Sequence, residues 1–138
     1  MTKLFDLIKK YEKYGDFTHY LVTNEMLNNV EKRLQTKIPL KYREFLKEFG
    51  HGGIGGIEIL GVGKNGTMLF EDKTIQYRAY GLPQELIVIE NCDEWVYCIN
   101  SHNGKIAIWD RSAMGYSDAY EDFYSYLSDR VNDVLENR

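Results

Sequence analysis

Two stretches of the chain carry residue types at the spacing of known reaction sites. Gly50-His51-Gly52-Gly53-Ile54-Gly55 satisfies G-x-G-x-x-G. Such a turn binds a pyrophosphate when it follows a strand and opens a helix, whose first N–H groups then face the anion. Here the order is reversed. A helical pattern precedes the glycines and the apolar run Ile57 to Leu60 follows, so the loop meets the partly negative end of the helix. The favoured reading is a glycine corner that permits positive φ and close backbone approach. Gly115-Tyr116-Ser117-Asp118-Ala119 approximates the G-x-S-x-G turn of a nucleophilic serine, and His51-Gly52-Gly53 approximates an oxyanion loop. That hydrolase architecture places its histidine after the serine, on a parallel sheet. No histidine follows His102. Ser117 therefore reads as part of a helix start, and no enzymatic activity is expected.

The paired carboxylates Asp93-Glu94 and Glu121-Asp122 have the chemistry for acid–base work or metal binding. Neighbouring acids in a turn or at a helix N-terminus are more often solvated or matched to the helix dipole. Cys92 and Cys98 fit neither a redox pair nor a zinc knuckle, and the three histidines are scattered, so neither metal nor cofactor is expected. Charge is the stronger signal. The net charge is −4, but residues 1–83 hold 13 Lys/Arg against 10 Asp/Glu, whereas residues 84–138 hold 4 against 11. An acidic C-terminal part suits a basic protein partner and not the phosphates of nucleic acid. The 11 tyrosines suit a wet contact surface, although half-buried strands favour tyrosine as well. On charge and loop position, the candidate partner-binding residues are Asp93, Glu94, Tyr97, Tyr116, Asp118 and Asp122.

The elements that must position these residues follow from periodicity. At 138 residues the chain is expected to form one domain, residues 1–138. Leu4, Leu7, Ile8 and Tyr11 have helical spacing behind Thr2 as cap, and Gly15 follows. Thr23 is placed to cap a second helix with Met26, Leu27, Val30 and Leu34 inward. Pro39 suits the first turn of a third helix, whose stripe is Tyr42, Phe45, Leu46 and Phe49. Gly50 is placed as a left-handed terminator, and Ile57 to Leu60 reads as a strand. A weak helical pattern runs from Glu71 to Tyr80. Leu86 to Glu90, Trp95 to Ile99 and Lys105 to Trp109 then form a three-stranded antiparallel meander separated by turn-rich segments. Trp109 reads as core. Arg111 to Ser117 is expected as a loop, and Asp118 with Glu121 as the capping box of a last helix carrying Tyr120, Phe123, Tyr124 and Leu127. The fold class is α+β, with N-terminal helices and a closing C-terminal helix on a mainly antiparallel sheet. No run approaches the length needed to cross a bilayer, and Asp6 interrupts the N-terminus, so a cytoplasmic protein without membrane contact is expected.

Taken in order, Leu34, Ile38-Pro39, Tyr42-Arg43, Phe45-Leu46, the glycines 50–56 and Ile57-Glu58-Ile59-Leu60 resemble the SUKH superfamily, which includes the yeast cell-wall-synthesis regulator and many bacterial immunity proteins. Leu86 to Glu90, Trp95 to Ile99, Ile106 to Asp110, and Phe123 with Leu127 extend the resemblance from about Met26 to Leu135. Pro39, Gly50, Gly53 and Trp109 carry the structural motif. Thr36 departs from it, standing where the family often has glycine. The resemblance implies a non-enzymatic binding domain. In the bacterial branch this would be an immunity protein that blocks a cognate polymorphic or contact-dependent toxin, often a basic nuclease. The alternative is an intracellular scaffold or regulatory domain without a toxin partner.

Overall fold

The computed structural model describes residues 2–137, with side chains from residue 3. Helices α1 (Thr2–Tyr11), α2 (Asn24–Leu34) and α3 (Leu40–Phe49) come first, and α4 (Leu69–Arg78) follows a 3₁₀ turn at Ile54–Gly56. Strands β1 (Leu86–Asn91), β2 (Val96–Asn100), β3 (Ile106–Trp109) and β4 (Ser117–Tyr120) form an antiparallel meander in that spatial order, and α5 (Phe123–Glu136) closes the chain. The α+β class expected from the sequence is the one observed. The expected Thr2 cap lies outside the described side chains.

Local chemistry explains the helical third. Thr23 Oγ1 accepts the Met26 N–H at 3.2 Å and starts α2. Gln35 ends α2 in the left-handed region, at φ 54° and ψ 45°. The backbone closes this turn, with Thr36 N–H reaching the Glu31 carbonyl at 3.2 Å, and the positive φ falls on Gln35, so Thr36 does not need to be glycine. Thr36 is buried, its hydroxyl lies 3.0 Å from the Gln84 carbonyl, and Arg78 Nη1 donates to the Leu34 carbonyl at 2.9 Å. In α3 the predicted stripe Tyr42, Phe45, Leu46 and Phe49 is entirely buried. Pro39 caps this helix instead of entering it, because its ψ of 144° is extended.

Gly50 differs from the left-handed terminator expected. Its φ of 78° and ψ of −73° make a γ-turn in which the His51 N–H reaches the Phe49 carbonyl at 3.0 Å. The chain must reverse at once, because the His51 carbonyl accepts Thr18 N–H and the Gly50 carbonyl accepts Val62 N–H. Gly53 is needed for space alone. Its backbone is extended, and a Cβ there would stand 2.5 Å from the Ile57 carbonyl oxygen.

Ile57 to Leu60 is not a strand. Ile59 exchanges two backbone hydrogen bonds with Gly52, while the Leu60 N–H turns the other way to the Ile89 carbonyl at 2.8 Å. The Tyr42 hydroxyl takes the Leu60 carbonyl. Its polar groups are divided between the glycine corner on one side and β1 on the other, so no ladder forms with either. A bulge at Ile89 in β1 frees the carbonyl that receives Leu60.

The sheet has two covered faces. Tyr97 of β2 packs on Tyr126 of α5, ring centroids 5.2 Å apart, and Trp109 of β3 packs edge-on against Tyr77 of α4 at 5.9 Å. Five of the six β1 residues are buried, as a strand between two helical layers requires. The fourth strand corrects the expected loop and helix start. Ser117, Asp118 and Tyr120 pair with Ile108, Ala107 and Ile106. The helix begins one turn later, where Asp122 Oδ1 accepts Ser125 N–H at 2.8 Å. Tyr120 therefore belongs to the sheet and not to the closing helix.

Candidate functional site

The β1–β2 connection is a tight turn held from within. Cys92 N–H donates to the Trp95 carbonyl at 2.9 Å, and Glu94 N–H donates to the Cys92 carbonyl at 2.8 Å. Asp93 occupies the left-handed region at φ 66°, which aspartate tolerates, and its N–H is taken by Asn91 Oδ1 at 3.0 Å. The turn holds both acids on the surface. Among the described residues neither the Asp93 nor the Glu94 carboxylate has a hydrogen-bond or ion-pair partner.

Beside this turn, β3 ends at Trp109 and the chain folds back. Asp110 Oδ1 accepts both the N–H and the hydroxyl of Ser112, at 2.8 and 2.7 Å, and these bonds hold its carboxyl below the usual range. Arg111 lays its guanidinium 3.7 Å above the Tyr80 ring. The end of α4 supplies a third wall through Gln76, Tyr77 and Tyr80. Turn, strand end and helix end enclose a cleft of about 330 Å³. Four aromatic side chains line it, Tyr77, Tyr80, Trp95 and Trp109, with three carboxylates, Asp93, Glu94 and Asp110.

The candidate residues do not form one site. Asp93 and Glu94 share the cleft. Tyr97 does not line it: it lies under α5 in ring contact with Tyr120 and Tyr126, and meets the cleft only through the Trp95 ring, 6.3 Å away. The Tyr116 hydroxyl donates to Glu85 at 2.8 Å and accepts from Asn100 Nδ2 at 3.2 Å, at the end of β1 and β2 remote from the cleft. Asp118 lies on β4, 3.8 Å from Lys105 Nζ. Asp122 caps α5 and bonds Lys41 Nζ at 2.7 Å. Sequence reasoning missed Tyr77, Tyr80, Asp110 and Arg111. Asp110-Arg111-Ser112 held a usable signal, since aspartate two residues before a serine favours a local side-chain turn. The meeting of α4 with the β1–β2 turn is tertiary and leaves no local trace.

Behind Tyr97 lies a buried ionic group. Glu90 accepts the Tyr126 hydroxyl and two N–H groups of Arg130. Burial, followed by the charge of Glu90, pushes the neighbouring Cys92 thiol up to about 11. Burial also raises Cys98, so neither sulfur has the depressed value of a reactive thiolate. The features that suggested a hydrolase are not joined either. His51 Nδ1 accepts the Gly61 N–H at 3.0 Å, which places the proton on Nε2, facing Glu58 at 3.2 Å. Ser117 sits exposed in β4 with no histidine partner among the described residues.

The SUKH_5 family model, described as SMI1-KNR4 cell-wall, matches residues 1–132. The chain belongs to the SUKH superfamily. A crystal structure of a protein from Pseudomonas syringae pv. tomato superposes with a TM-score of 0.76 and 19% identity, covering 94% of this chain and 96% of that one. At that identity the likeness is one of fold. The family match spans the glycine corner and every residue lining the aromatic cleft. No helix among the described residues is long and apolar enough to cross a membrane.

Proposed function

We propose that this SUKH protein is a cytoplasmic immunity protein. It binds a cognate polymorphic or contact-dependent toxin, a basic nuclease domain, and neutralises it by forming a stoichiometric complex without catalysis. Membership of the superfamily supports the class. The observation that carries the reading is the acidic, aromatic cleft, where Asp93 and Glu94 are exposed and unpaired with other described residues. Unpaired acids beside aromatic rings are suited to a positively charged protein surface.

Co-expression with the toxin encoded beside this gene tests the reading. Growth is expected to be restored, with a single complex of the two chains on gel filtration. Continued toxicity without a complex overturns it. Recovery of several unrelated host proteins and no toxin favours the scaffold alternative. Reversing both charges, Asp93→Lys with Glu94→Lys, is expected to slow association, most visibly at low salt. An unchanged rate removes the β1–β2 turn from the contact surface.

A further inference from the structure

We propose that the cleft between α4 and the β1–β2 turn receives one guanidinium group, the side chain of an arginine on a loop of the partner protein. The inference rests on the toxin-binding reading and specifies its contact, yet the affinity of the cleft for arginine is measurable without the toxin.

Three features select this ligand. First, the walls are aromatic: Trp109 is buried and Arg111 covers Tyr80, so partly exposed Trp95 and Tyr77 offer the ring surface, and ring faces attract a cation through their quadrupole, most strongly where water is partly excluded. Second, the carboxylates of Asp93 and Glu94 are uncommitted among the described residues, so they are available as acceptors. Third, the cleft already holds a guanidinium on one wall. Arg111 stacks on Tyr80 and ion-pairs with no carboxylate among the described residues. Stacking on a ring is therefore a geometry this surface supports for a guanidinium, while the acids opposite stay free. A planar guanidinium can both stack and bond a carboxylate with two N–H groups, which the compact ammonium of lysine does less well. Exposed Ile75 on α4 and Met114 in the β3–β4 loop add apolar surface on two of the elements that form the cleft. A phosphate-bearing ligand is disfavoured by the sign of the acids.

The chain has two tryptophans, Trp95 and Trp109, and both line the cleft. Their indole N–H resonances in the ¹⁵N-labelled protein report on it directly. The probe is N-acetyl-arginine methylamide, and the control is the citrulline analogue, which has the same shape without charge. Both resonances are expected to shift saturably with arginine, with a millimolar dissociation constant, and to stay still with citrulline. The double variant Asp93→Asn with Glu94→Gln, at exposed positions, is expected to weaken the arginine response about fivefold. Indole resonances that do not move, or that move equally with citrulline, overturn the inference. The same variant is expected to weaken the toxin complex by about tenfold or more. A toxin complex of unchanged affinity overturns the cleft as the receptor and leaves the immunity reading standing. A wild-type chain that forms no toxin complex overturns that reading, whatever the arginine probe does.

Discussion

Asp122 and Asp93 are both exposed or nearly so, both acidic, and both close to a helix or strand end, yet they do different work. Asp122 is spent on structure. The Lys41 ammonium, and next the Ser125 N–H, hold its carboxyl down at about 2, below its ordinary 3.8. A carboxyl lowered in this way binds its proton less readily in the folded chain than in the unfolded one. Its contribution to stability is therefore complete above 3.8 and is lost as pH falls towards 2. Asp122→Asn keeps a good cap but cannot titrate, so the stability difference from wild type should shrink across that interval in acid. Asp122→Ala also loses the cap and should cost about 1 kcal/mol at neutral pH. Urea unfolding at several pH values measures both, and a difference between wild type and Asp122→Asn that is flat with pH would refute the assignment. Composition could not separate these acids. Asp118, with Glu121 three residues on, fits the capping-box pattern better than Asp122 with Ser125, so the local signal pointed to the wrong residue. Asp93 and Glu94 were legible as an acidic turn, and the structure leaves both exposed, but the aromatic wall that α4 brings beside them left no mark in the sequence.

At the scale of elements, α5 holds the sheet through a buried charge. Glu90 is 4% exposed and meets Arg130 and Tyr126 from the overlying helix. Removing one partner of such a pair leaves the other charge buried without compensation, which costs about 3–5 kcal/mol. Arg130→Met should fall in that range. Adding Glu90→Gln removes the stranded charge while keeping an acceptor for Tyr126, and should recover about half of the loss, a coupling of roughly 1–3 kcal/mol. Denaturant unfolding of the two single variants and the double closes the cycle. A cost for Arg130→Met below about 0.5 kcal/mol, the scale of an ordinary surface change, would mean that the pair does not clamp the helix. The strands that receive the clamp were readable because β1 to β3 are apolar runs between turn signals. β4 was hidden, since Ser117-Asp118-Ala119-Tyr120 is polar and exposed and resembles a helix start. Its strand character comes from pairing with β3. The opposite error at Ile57 to Leu60 has the same origin. The apolar run is genuine, but its backbone is shared between two neighbours and no propensity scale records that.

Across the whole molecule, the helical third and the sheet bury their side chains in one hydrophobic cluster. Phe123 at the start of α5 is the meeting point. Its ring lies 5.3 Å from Tyr42 and 5.4 Å from Phe45 of α3, and 5.7 Å from Tyr126, which packs on the sheet. Further along α5, Val134 fills the space beside Gly55, so the same helix also contacts the glycine corner. With no second core among the described residues, opening either half would expose the apolar surface of the other. Two signals report on the halves separately. Far-UV circular dichroism follows mainly the helices, whereas fluorescence follows Trp95 and Trp109, both on the sheet side. The two should give the same urea midpoint. Phe123→Ala removes a fully buried ring and should cost about 3–5 kcal/mol, lowering both midpoints together. If the fluorescence midpoint stayed in place while the helical signal moved, the helical third would be a separate folding unit docked on the sheet, and the closing helix would be a latch between two parts instead of a shared wall of one core.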